Sequence, residues 1–286
     1  MSTYAITGSA SGMGLATANL LREQGHTVIG IDLRDADVVA DLSTPEGRAF
    51  AAEETLRLAG GTLDGAVLAA GLGPVHGRER LIAEVNYFGV VDLLTAWQPT
   101  FAKNDATHVV IVSSNSTTTV PAVPKATVKA FLRANRPRIY SSVRVFGKNG
   151  AAMVYAGSKI AVTRWMRRTA VTADWAGQGI RMNAIAPGAI LTPLLQQQLD
   201  DPELAGAIES FPVPIGGFGD PQDIAKVIEF MLSPAARFMV GATVFVDGGT
   251  DALYRSDDWP VAVPLRKISR YLKVTKAFNA AKAAAE

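Results

Sequence analysis

The chain has 286 residues, of which 48% are hydrophobic and 19% are charged. A chain of this length and composition can bury one sizeable core, and its apolar content excludes wholesale disorder. The lack of cysteine excludes disulfides and thiolate chemistry, and it fits the reducing cytoplasm, where we expect this protein to be located. The formal net charge of +2 is small, but the bases that contribute to it are unevenly distributed.

Neither a metal site nor a membrane-spanning segment is predicted. The three histidines, His26, His76 and His108, do not have the spacing of metal ligands. The chain opens on a strand pattern around Ala5, rather than on a basic segment followed by an apolar run and a cleavage site. No apolar run approaches the roughly 20 residues that are needed to cross a bilayer.

Short apolar runs that predict strands alternate with amphipathic runs that predict helices. Strands are predicted at 4–7, 27–31, 66–69, 109–112, 181–185 and 243–246, and helices at 13–24, 46–58, 82–103, 153–176 and 221–232. Because the strand runs are continuously apolar, we expect helices to cover both faces of the sheet. The pattern favours one α/β domain over residues 1–250, built on a doubly wound parallel sheet, and a C-terminal extension over 251–286.

A glycine-rich turn joins the first predicted strand to the first predicted helix. It reads Thr7-Gly8-Ser9-Ala10-Ser11-Gly12-Met13-Gly14. Glycines let the backbone approach a pyrophosphate, and a helix N-terminus offers free N–H groups and a positive dipole end. In this context the turn predicts a Rossmann-type dinucleotide site, although an ordinary strand-to-helix loop is the alternative. The predicted cofactor-binding residues of the turn are Gly8, Ser11, Gly12, Met13 and Gly14.

Asp32 ends the second predicted strand, 18 residues after Gly14. A carboxylate at this point accepts hydrogen bonds from the adenosine ribose and repels a 2′-phosphate, so Asp32 and the adjoining Leu33 predict NAD rather than NADP. Arg34 leaves the alternative open, because a guanidinium so close by can bind that phosphate.

Tyr155 and Lys159 lie four residues apart in the run Met153-Val154-Tyr155-Ala156-Gly157-Ser158-Lys159, which leads into a predicted helix. Residues i and i+4 share a helix face. A phenol with a pKa of about 10 is a poor base at neutral pH, and a nearby ammonium group lowers that pKa. The pair therefore predicts a phenol tuned for proton transfer, and a plain contact on the helix surface is the alternative.

With the glycine-rich turn, this pair resembles the short-chain dehydrogenase/reductase family. The resemblance covers residues 3–249, and in Ala69 the chain departs from the asparagine that is usual there. The matching motifs come in the family's order: Thr7-Gly8 to Gly14, Asp41-Leu42, Leu68-Ala69-Ala70-Gly71, Asn86-Tyr87-Phe88-Gly89, Ser113-Ser114, Tyr155 to Lys159, and Asn183 to Thr192.

The resemblance implies a role for each matching residue. Tyr155 would be the general acid/base, and Lys159 would lower its pKa and hold the nicotinamide ribose. Ser114, preferred to Ser113, would bind the substrate oxygen, and Asn86 would position a water between Lys159 and solvent. The Ile190 backbone and the Thr192 side chain would fix the carboxamide. Further cofactor contacts are implied at Asp41, Leu42, Ala70, Gly71, Pro187 and Gly188.

The separation between the serine and the tyrosine, 155 − 114 = 41 residues, is far greater than in most of the family. Residues 116–150 are therefore interpreted as an insertion at the rim of the active site. The motifs around Asp32, Asp41 and Asn86, together with such an insertion, resemble the bacterial 3α-hydroxysteroid dehydrogenase/carbonyl reductase branch of the family.

A long, largely apolar segment over about 191–218 is predicted to be a substrate lid, with Leu194 and Leu195 as substrate contacts beside Ser114 and Tyr155. The resemblance thus implies NAD-dependent interconversion of a bulky lipophilic secondary alcohol and its ketone, such as a 3α-hydroxysteroid or a similar cyclic alcohol. The alternatives are another alicyclic, aromatic or coenzyme A-linked hydroxy compound, or an NAD-binding regulator or scaffold without turnover.

Two segments are strongly basic. Residues 116–150 contain seven bases and no acid, and residues 255–286 contain seven bases and three acids, with apolar residues recurring from Pro264 onward. An amphipathic basic helix in the tail predicts peripheral contact with anionic membranes, while subunit docking, a solvated face, or an anion site in the insertion are the alternatives. Nucleic acid is not an expected partner, because no aromatic residues are interleaved on a recognisable module. A homo-oligomer, either a dimer or a tetramer, is expected from the resemblance.

Overall fold

The computed structural model describes residues 1–200, 205–258 and 262–283. The chain forms two compact units, Met1–Asp251 and Ala252–Glu286. Part of the predicted lid, residues 201–204, and part of the predicted extension, residues 259–261 and 284–286, lie outside the described residues.

The first unit is built on one parallel sheet of seven strands in the order β3-β2-β1-β4-β5-β6-β7. The doubly wound, Rossmann-type sheet that was predicted is therefore confirmed. The chain order reverses beside β1, so the carboxyl ends of β1 and β4 flank a crevice of the kind in which such sheets bind ligands. The strands are β1 (Thr3–Thr7), β2 (Thr27–Asp32), β3 (Val38–Val39), β4 (Gly65–Leu68), β5 (Thr107–Val112), β6 (Ile180–Pro187) and β7 (Thr243–Val246).

Helices follow the strands on both faces of the sheet. The longer ones are α1 (Gly12–Glu23), α2 (Pro45–Leu58), α4 (Val90–Phe101), α8 (Gly150–Thr169) and α11 (Pro221–Leu232). The shorter ones are α3 (Glu79–Ala83), α5 (Ser116–Thr119), α6 (Lys125–Phe131), α7 (Arg136–Ser141), α9 (Pro193–Leu199), α10 (Ala205–Glu209) and α12 (Thr250–Tyr254). One π-helical segment spans Glu84–Gly89, and 3-10 turns span Arg144–Asn149, Ala176–Gln178 and Pro234–Ala236.

The strands alternate between two buried cores because successive side chains point to opposite faces of a sheet. Val109 packs in the core beneath α4 and α8, whereas its neighbour Val110 packs in the core beneath α1 and α11. Trp97 and Phe101 of α4 are fully buried in the first of these cores. Burial of a large apolar side chain of this kind contributes about 1.5–3 kcal/mol. Because both faces of the sheet are covered by such cores, the strands are apolar on both faces.

Some predicted bounds are wrong. The helix predicted over 82–103 is three consecutive pieces, because the π-helical segment Glu84–Gly89 separates α3 from α4. The helix predicted over 153–176 begins at Gly150 and ends at Thr169. Strand β3 was not predicted, since two residues are too few to show a periodic pattern.

The insertion over 116–150 folds into α5, α6, α7 and a 3-10 turn. Helix α6 packs against α8, and Phe131, Ile139 and Val143 are buried in the core beneath α8. These apolar side chains join the insertion to the core.

In the second unit, a 3-10 turn at Leu265–Lys267 leads into α13 (Ile268–Ala283). Its apolar residues Ile268, Leu272 and Phe278 are exposed. In the part of the chain that the structure describes, no helix is long and apolar enough to cross a membrane.

Candidate active site

A cavity of about 450 Å³ opens at the carboxyl ends of β1, β2, β4 and β5. Its walls come from the glycine-rich turn, the ends of these strands, one face of α8 and the start of the lid. It brings together most of the predicted residues: Gly8, Ser11, Gly12, Met13, Gly14, Asp32, Leu33, Asp41, Leu42, Ala70, Gly71, Tyr155, Lys159, Thr192 and Leu194.

The glycine-rich turn needs glycine at two positions. Gly8 and Gly12 have φ angles of 72° and 53°, in the left-handed region that favours glycine. A Cβ on Gly8 would lie 2.8 Å from the Ala70 nitrogen, and one on Gly12 would lie 3.1 Å from the Thr192 methyl carbon. Ser11, the residue before α1, makes no capping hydrogen bond within the described chain. The first N–H groups of α1 are thus not capped by this side chain and lie beside the cavity, as in an anion-binding helix end.

Asp32 ties the end of β2 to this turn. Its Oδ2 accepts a hydrogen bond from the Ala10 N–H at 3.0 Å, and its Oδ1 accepts one from the Leu33 N–H at 2.7 Å. Arg34 lies further out, with its side chain 85% exposed and 4.0 Å from the Asp35 carboxylate. The carboxylate, and not the guanidinium, therefore lines the cavity at this end.

Asp41 and Leu42 border the same end of the cavity. The Asp41 Oδ1 accepts a hydrogen bond from the Ser43 N–H at 2.9 Å, which fixes a local turn before α2. The carbonyl oxygen of Leu42 accepts a hydrogen bond from the buried Arg48 guanidinium at 3.0 Å. Both residues are thus held by short-range contacts on the side away from the cavity.

Lys159 of α8 is buried at 6% exposure, and its Nζ donates to the carbonyl of Val112, the last residue of β5, at 2.8 Å. Burial lowers the pKa of Lys159 to about 8, because a charged ammonium loses its hydration. One hydrogen bond to a carbonyl leaves donors of this group available to a ligand in the cavity.

Tyr155 lies on the same face of α8, and its phenol is near the Ser114 hydroxyl, which accepts a hydrogen bond from the Ser116 N–H at 3.1 Å. Burial raises the pKa of Tyr155, and the nearby Ser114 hydroxyl opposes that rise. The neighbouring hydroxyl of Ser113 lies 2.7 Å from that of Thr163 on α8. Ser114 is thus the serine whose hydroxyl is near the phenol, whereas Ser113 is the one among the residues described as lining the cavity.

Asn86 lies in the π-helical segment and is fully buried. Its side-chain amide donates to the Leu72 carbonyl at 2.9 Å, and its Oδ1 accepts from the Leu72 N–H at 2.8 Å. A Cβ on Gly71 would lie 3.5 Å from the Asn86 Oδ1 and 3.6 Å from the Lys159 Nζ. Asn86 therefore fixes the backbone that borders Lys159, although its side chain does not line the cavity.

Only part of the segment after β6 that was predicted to bind the cofactor borders the cavity. The Gly188 N–H donates to the Val246 carbonyl at 3.1 Å, and Ile190 is buried and forms a bridge with Gly219. Thr192 borders the cavity, and its hydroxyl accepts from the Leu195 N–H at 3.3 Å at the start of α9. The residues described as lining the cavity do not include the predicted Ser114, Pro187, Gly188, Ile190 and Leu195.

Sequence analysis missed part of the cavity wall. Leu72, Arg78, Leu81 and Val85, from the segment after β4, border the cavity, as do Ser43 and Pro193. The position of 72–78 directly after the carboxyl end of a central strand was a usable signal, because ligands of such sheets bind at that edge. The insertion, predicted to lie at the rim, contributes none of the described lining residues, since its helices pack on α8 instead.

Comparison with known proteins places the chain among enzymes. The family model described as enoyl-(acyl carrier protein) reductase matches residues 138–251. The 3-alpha-hydroxysteroid dehydrogenase/carbonyl reductase of Comamonas testosteroni is 40% identical over 255 residues, which are 89% of this chain and 98% of that protein. The chain belongs to the short-chain dehydrogenase/reductase family. It is thus an oxidoreductase, as was predicted.

Two further relatives in the short-chain dehydrogenase/reductase family are informative. The solved structure of the 3-alpha-hydroxysteroid dehydrogenase from Pseudomonas sp. B-0831, complexed with NADH, has a TM-score of 0.84 and 43% identity, covering 90% of this chain and 100% of that one. The cyclopentanol dehydrogenase of Comamonas sp. (strain NCIMB 9872) is 30% identical over 255 residues, which are 86% of this chain and 96% of that protein. The predicted resemblance to the family, and to its hydroxysteroid dehydrogenase branch, is confirmed.

Proposed function

We propose that this protein is an NAD(H)-dependent oxidoreductase that interconverts a lipophilic secondary alcohol, such as a 3α-hydroxysteroid or a similar cyclic alcohol, and its ketone. The observation that carries the proposal is the placement of Tyr155 and buried Lys159 in one cavity with the glycine-rich turn, with the Ser114 hydroxyl near the phenol. A phenol, a hydroxyl and an ammonium so arranged suit proton transfer to and from a substrate oxygen.

The residues of the cavity fit a dinucleotide. The turn at Gly8 and Gly12 packs closely against Ala70 and Thr192, and it presents the N-terminus of α1 to the cavity, where a pyrophosphate would bind. Asp32 would accept the ribose hydroxyls and repel a 2′-phosphate, which favours NAD over NADP. Thr192 borders the cavity beside Gly12, and its side chain would bind the carboxamide of the nicotinamide. The chemistry that NAD supplies when bound is hydride exchange with the carbinol carbon.

The proton chemistry falls to this chain's own side chains. In alcohol oxidation Tyr155 would take the hydroxyl proton, and Ser114 would hold the same oxygen through a hydrogen bond. The Lys159 ammonium would favour the phenolate by its charge, against the burial that raises the pKa of Tyr155. Asn86, bonded to Leu72, would hold the backbone past which a proton reaches Lys159 from solvent.

The substrate class is inferred from the lid and from the relatives. Leu194 borders the cavity, and with Leu72, Leu81 and Val85 it gives an apolar wall. The named relatives act, by their names, on hydroxysteroids and on cyclopentanol. An apolar wall favours bulky lipophilic alcohols over small polar ones.

The test is NADH formation, followed by absorbance, with a panel of 3α-hydroxysteroids, cyclic alcohols and coenzyme A-linked hydroxy compounds, with NAD and NADP in parallel. We expect turnover of cyclic alcohols with NAD, and its loss in Tyr155→Phe. Tyr140→Phe, which alters a tyrosine of the insertion, is the matched control and should keep the activity. Tight NAD binding without turnover across the panel would favour the regulatory or scaffold alternative.

Partners and location are also proposals. We infer a cytoplasmic homo-oligomer, a dimer or a tetramer, formed by the catalytic domain over 1–250. We also propose that the extension over 251–286 contacts anionic membranes weakly, since α13 exposes both Ile268 and Phe278 among several bases. Sedimentation equilibrium measures the oligomeric state. Co-sedimentation with phosphatidylserine vesicles at low salt measures the membrane contact, and a full chain that stays in the supernatant would exclude it.

A further inference from the structure

One partly buried carboxylate joins the insertion to the π-helical segment that holds Asn86. Glu84 begins that segment and has a side chain 15% exposed. Arg136 of the insertion donates to both of its oxygens, through Nε at 2.6 Å and Nη2 at 3.0 Å. A two-point contact of this kind fixes the relative orientation of two segments more firmly than a single ion pair does.

The same arginine contacts the π-helical segment a second time. The guanidinium carbon of Arg136 lies 3.7 Å from the centre of the Phe88 ring, a stacked cation–π contact. Glu84 and Phe88 are on either side of Asn86 in the segment. Arg136 therefore holds both ends of the stretch in which Asn86 lies.

Glu84 is also connected to the cofactor end of the cavity. Arg48, whose side chain is 3% exposed, donates to the Glu84 Oε2 at 3.2 Å and to the Leu42 carbonyl at 3.0 Å. Glu84 is therefore shared between Arg136 and the buried Arg48, so a change at Arg136 alters a carboxylate that also contacts the cofactor end of the cavity through Arg48.

We propose that Arg136 is a positioning residue that acts on the active site through Asn86. A π turn is rare and needs support from its surroundings. If it relaxes to a regular α-helix, the chain shifts by one residue, and each such shift rotates a side chain by about 100° around the helix axis. Without Arg136, relaxation of Glu84–Gly89 to α-helical geometry would turn the Asn86 amide away from Leu72. The insertion would then support proton transfer in a cavity that it does not line. The inference rests on the proposed role of Asn86.

The test is a double-mutant cycle on kcat for alcohol oxidation, with the full-length Arg136→Gln, Asn86→Ala and Arg136→Gln/Asn86→Ala variants. We expect Arg136→Gln to lower kcat about tenfold, equivalent to about 1.4 kcal/mol of activation free energy, and to displace the pH–rate profile in the same direction as Asn86→Ala. The double variant should be no slower than Asn86→Ala alone. Arg133→Gln, which alters an exposed arginine of the same insertion, is the matched control and should keep the full kcat.

The possible failures are distinguishable. Arg136→Gln with a lower Tm but an unchanged kcat and pH profile would make Arg136 purely structural, as would losses that add in the double variant. If Asn86→Ala itself keeps the full kcat, both the role proposed for Asn86 and this inference are overturned. Should Arg136→Gln fail to fold, Arg136→Lys keeps the charge but loses the two-point contact and the planar stacking, and we expect it to give the same displaced pH profile.

Discussion

Ser114, which follows β5, has its hydroxyl near enough to the phenol of Tyr155 on α8 to lower the pKa of that phenol. The hydroxyl of the preceding residue, Ser113, instead lies 2.7 Å from that of Thr163. Adjacent residues with the same side chain thus have different partners, and different functions are expected of them.

The first prediction separates these serines. Ser114→Ala should lower kcat/KM about a hundredfold, because it removes a donor to the substrate oxygen. It should also raise the pKa of Tyr155, since the nearby Ser114 hydroxyl lowers that pKa. The rate of alcohol oxidation should therefore rise at a higher pH than in the wild type, because the base must be deprotonated. Ser113→Ala should keep the pH–rate profile and lose about 1 kcal/mol of stability.

The second prediction concerns the choice of cofactor. Asp32→Ala should lower kcat/KM for NAD about tenfold or more, because hydrogen bonds to a charged carboxylate are lost. Its efficiency with NADP relative to NAD should increase, since repulsion of the 2′-phosphate is relieved. Asp35→Asn, at a carboxylate whose side chain is 85% exposed, is the control and should leave the ratio unchanged. An unchanged ratio in Asp32→Ala would remove the main argument for NAD.

The third prediction concerns the cost of burying Lys159. Because burial lowers its pKa from 10.5 to about 8, the unfolded chain binds more protons than the folded one between those pH values. The free energy of unfolding should therefore rise with pH across that window, by at most about 3 kcal/mol from this group. Lys159→Met should be inactive but should lack this rise, as measured by urea unfolding at pH 7 and at pH values up to about 9.5. The exposed Lys129→Met should retain it.

The fourth prediction tests whether the insertion belongs to the core. Phe131→Ala should reduce the free energy of unfolding by about 3–5 kcal/mol, because a fully buried ring in contact with Tyr87 and Phe88 is lost. Phe238→Ala, at a ring that is 100% exposed, should change it by less than about 0.5 kcal/mol. Equal stability of the two variants would mean that the insertion is an independent appendage.

Local features were predicted well because their physical cause is local. The period of the apolar residues gave the strands and α1, and the i, i+4 spacing placed Tyr155 and Lys159 on one face of α8, where they share the cavity. The same kind of reasoning failed at Glu84–Gly89. A π turn leaves no periodic signal of its own, and the helix predicted through that segment was continuous.

The sequence by itself determined the parallel sheet, the glycine-rich turn and the family, since strand patterning and motif order are written in neighbouring residues. Only the tertiary structure decided that the Ser114 hydroxyl lies near the Tyr155 phenol, because which side chain of a strand end meets a helix depends on how the two pack. It also decided the position of the insertion: its place between Ser114 and Tyr155 suggested the rim of the active site, but Phe131 and the contact of Arg136 with Glu84 join it to the core. Contacts between residues 52 positions apart depend on the whole fold, and no local pattern encodes them.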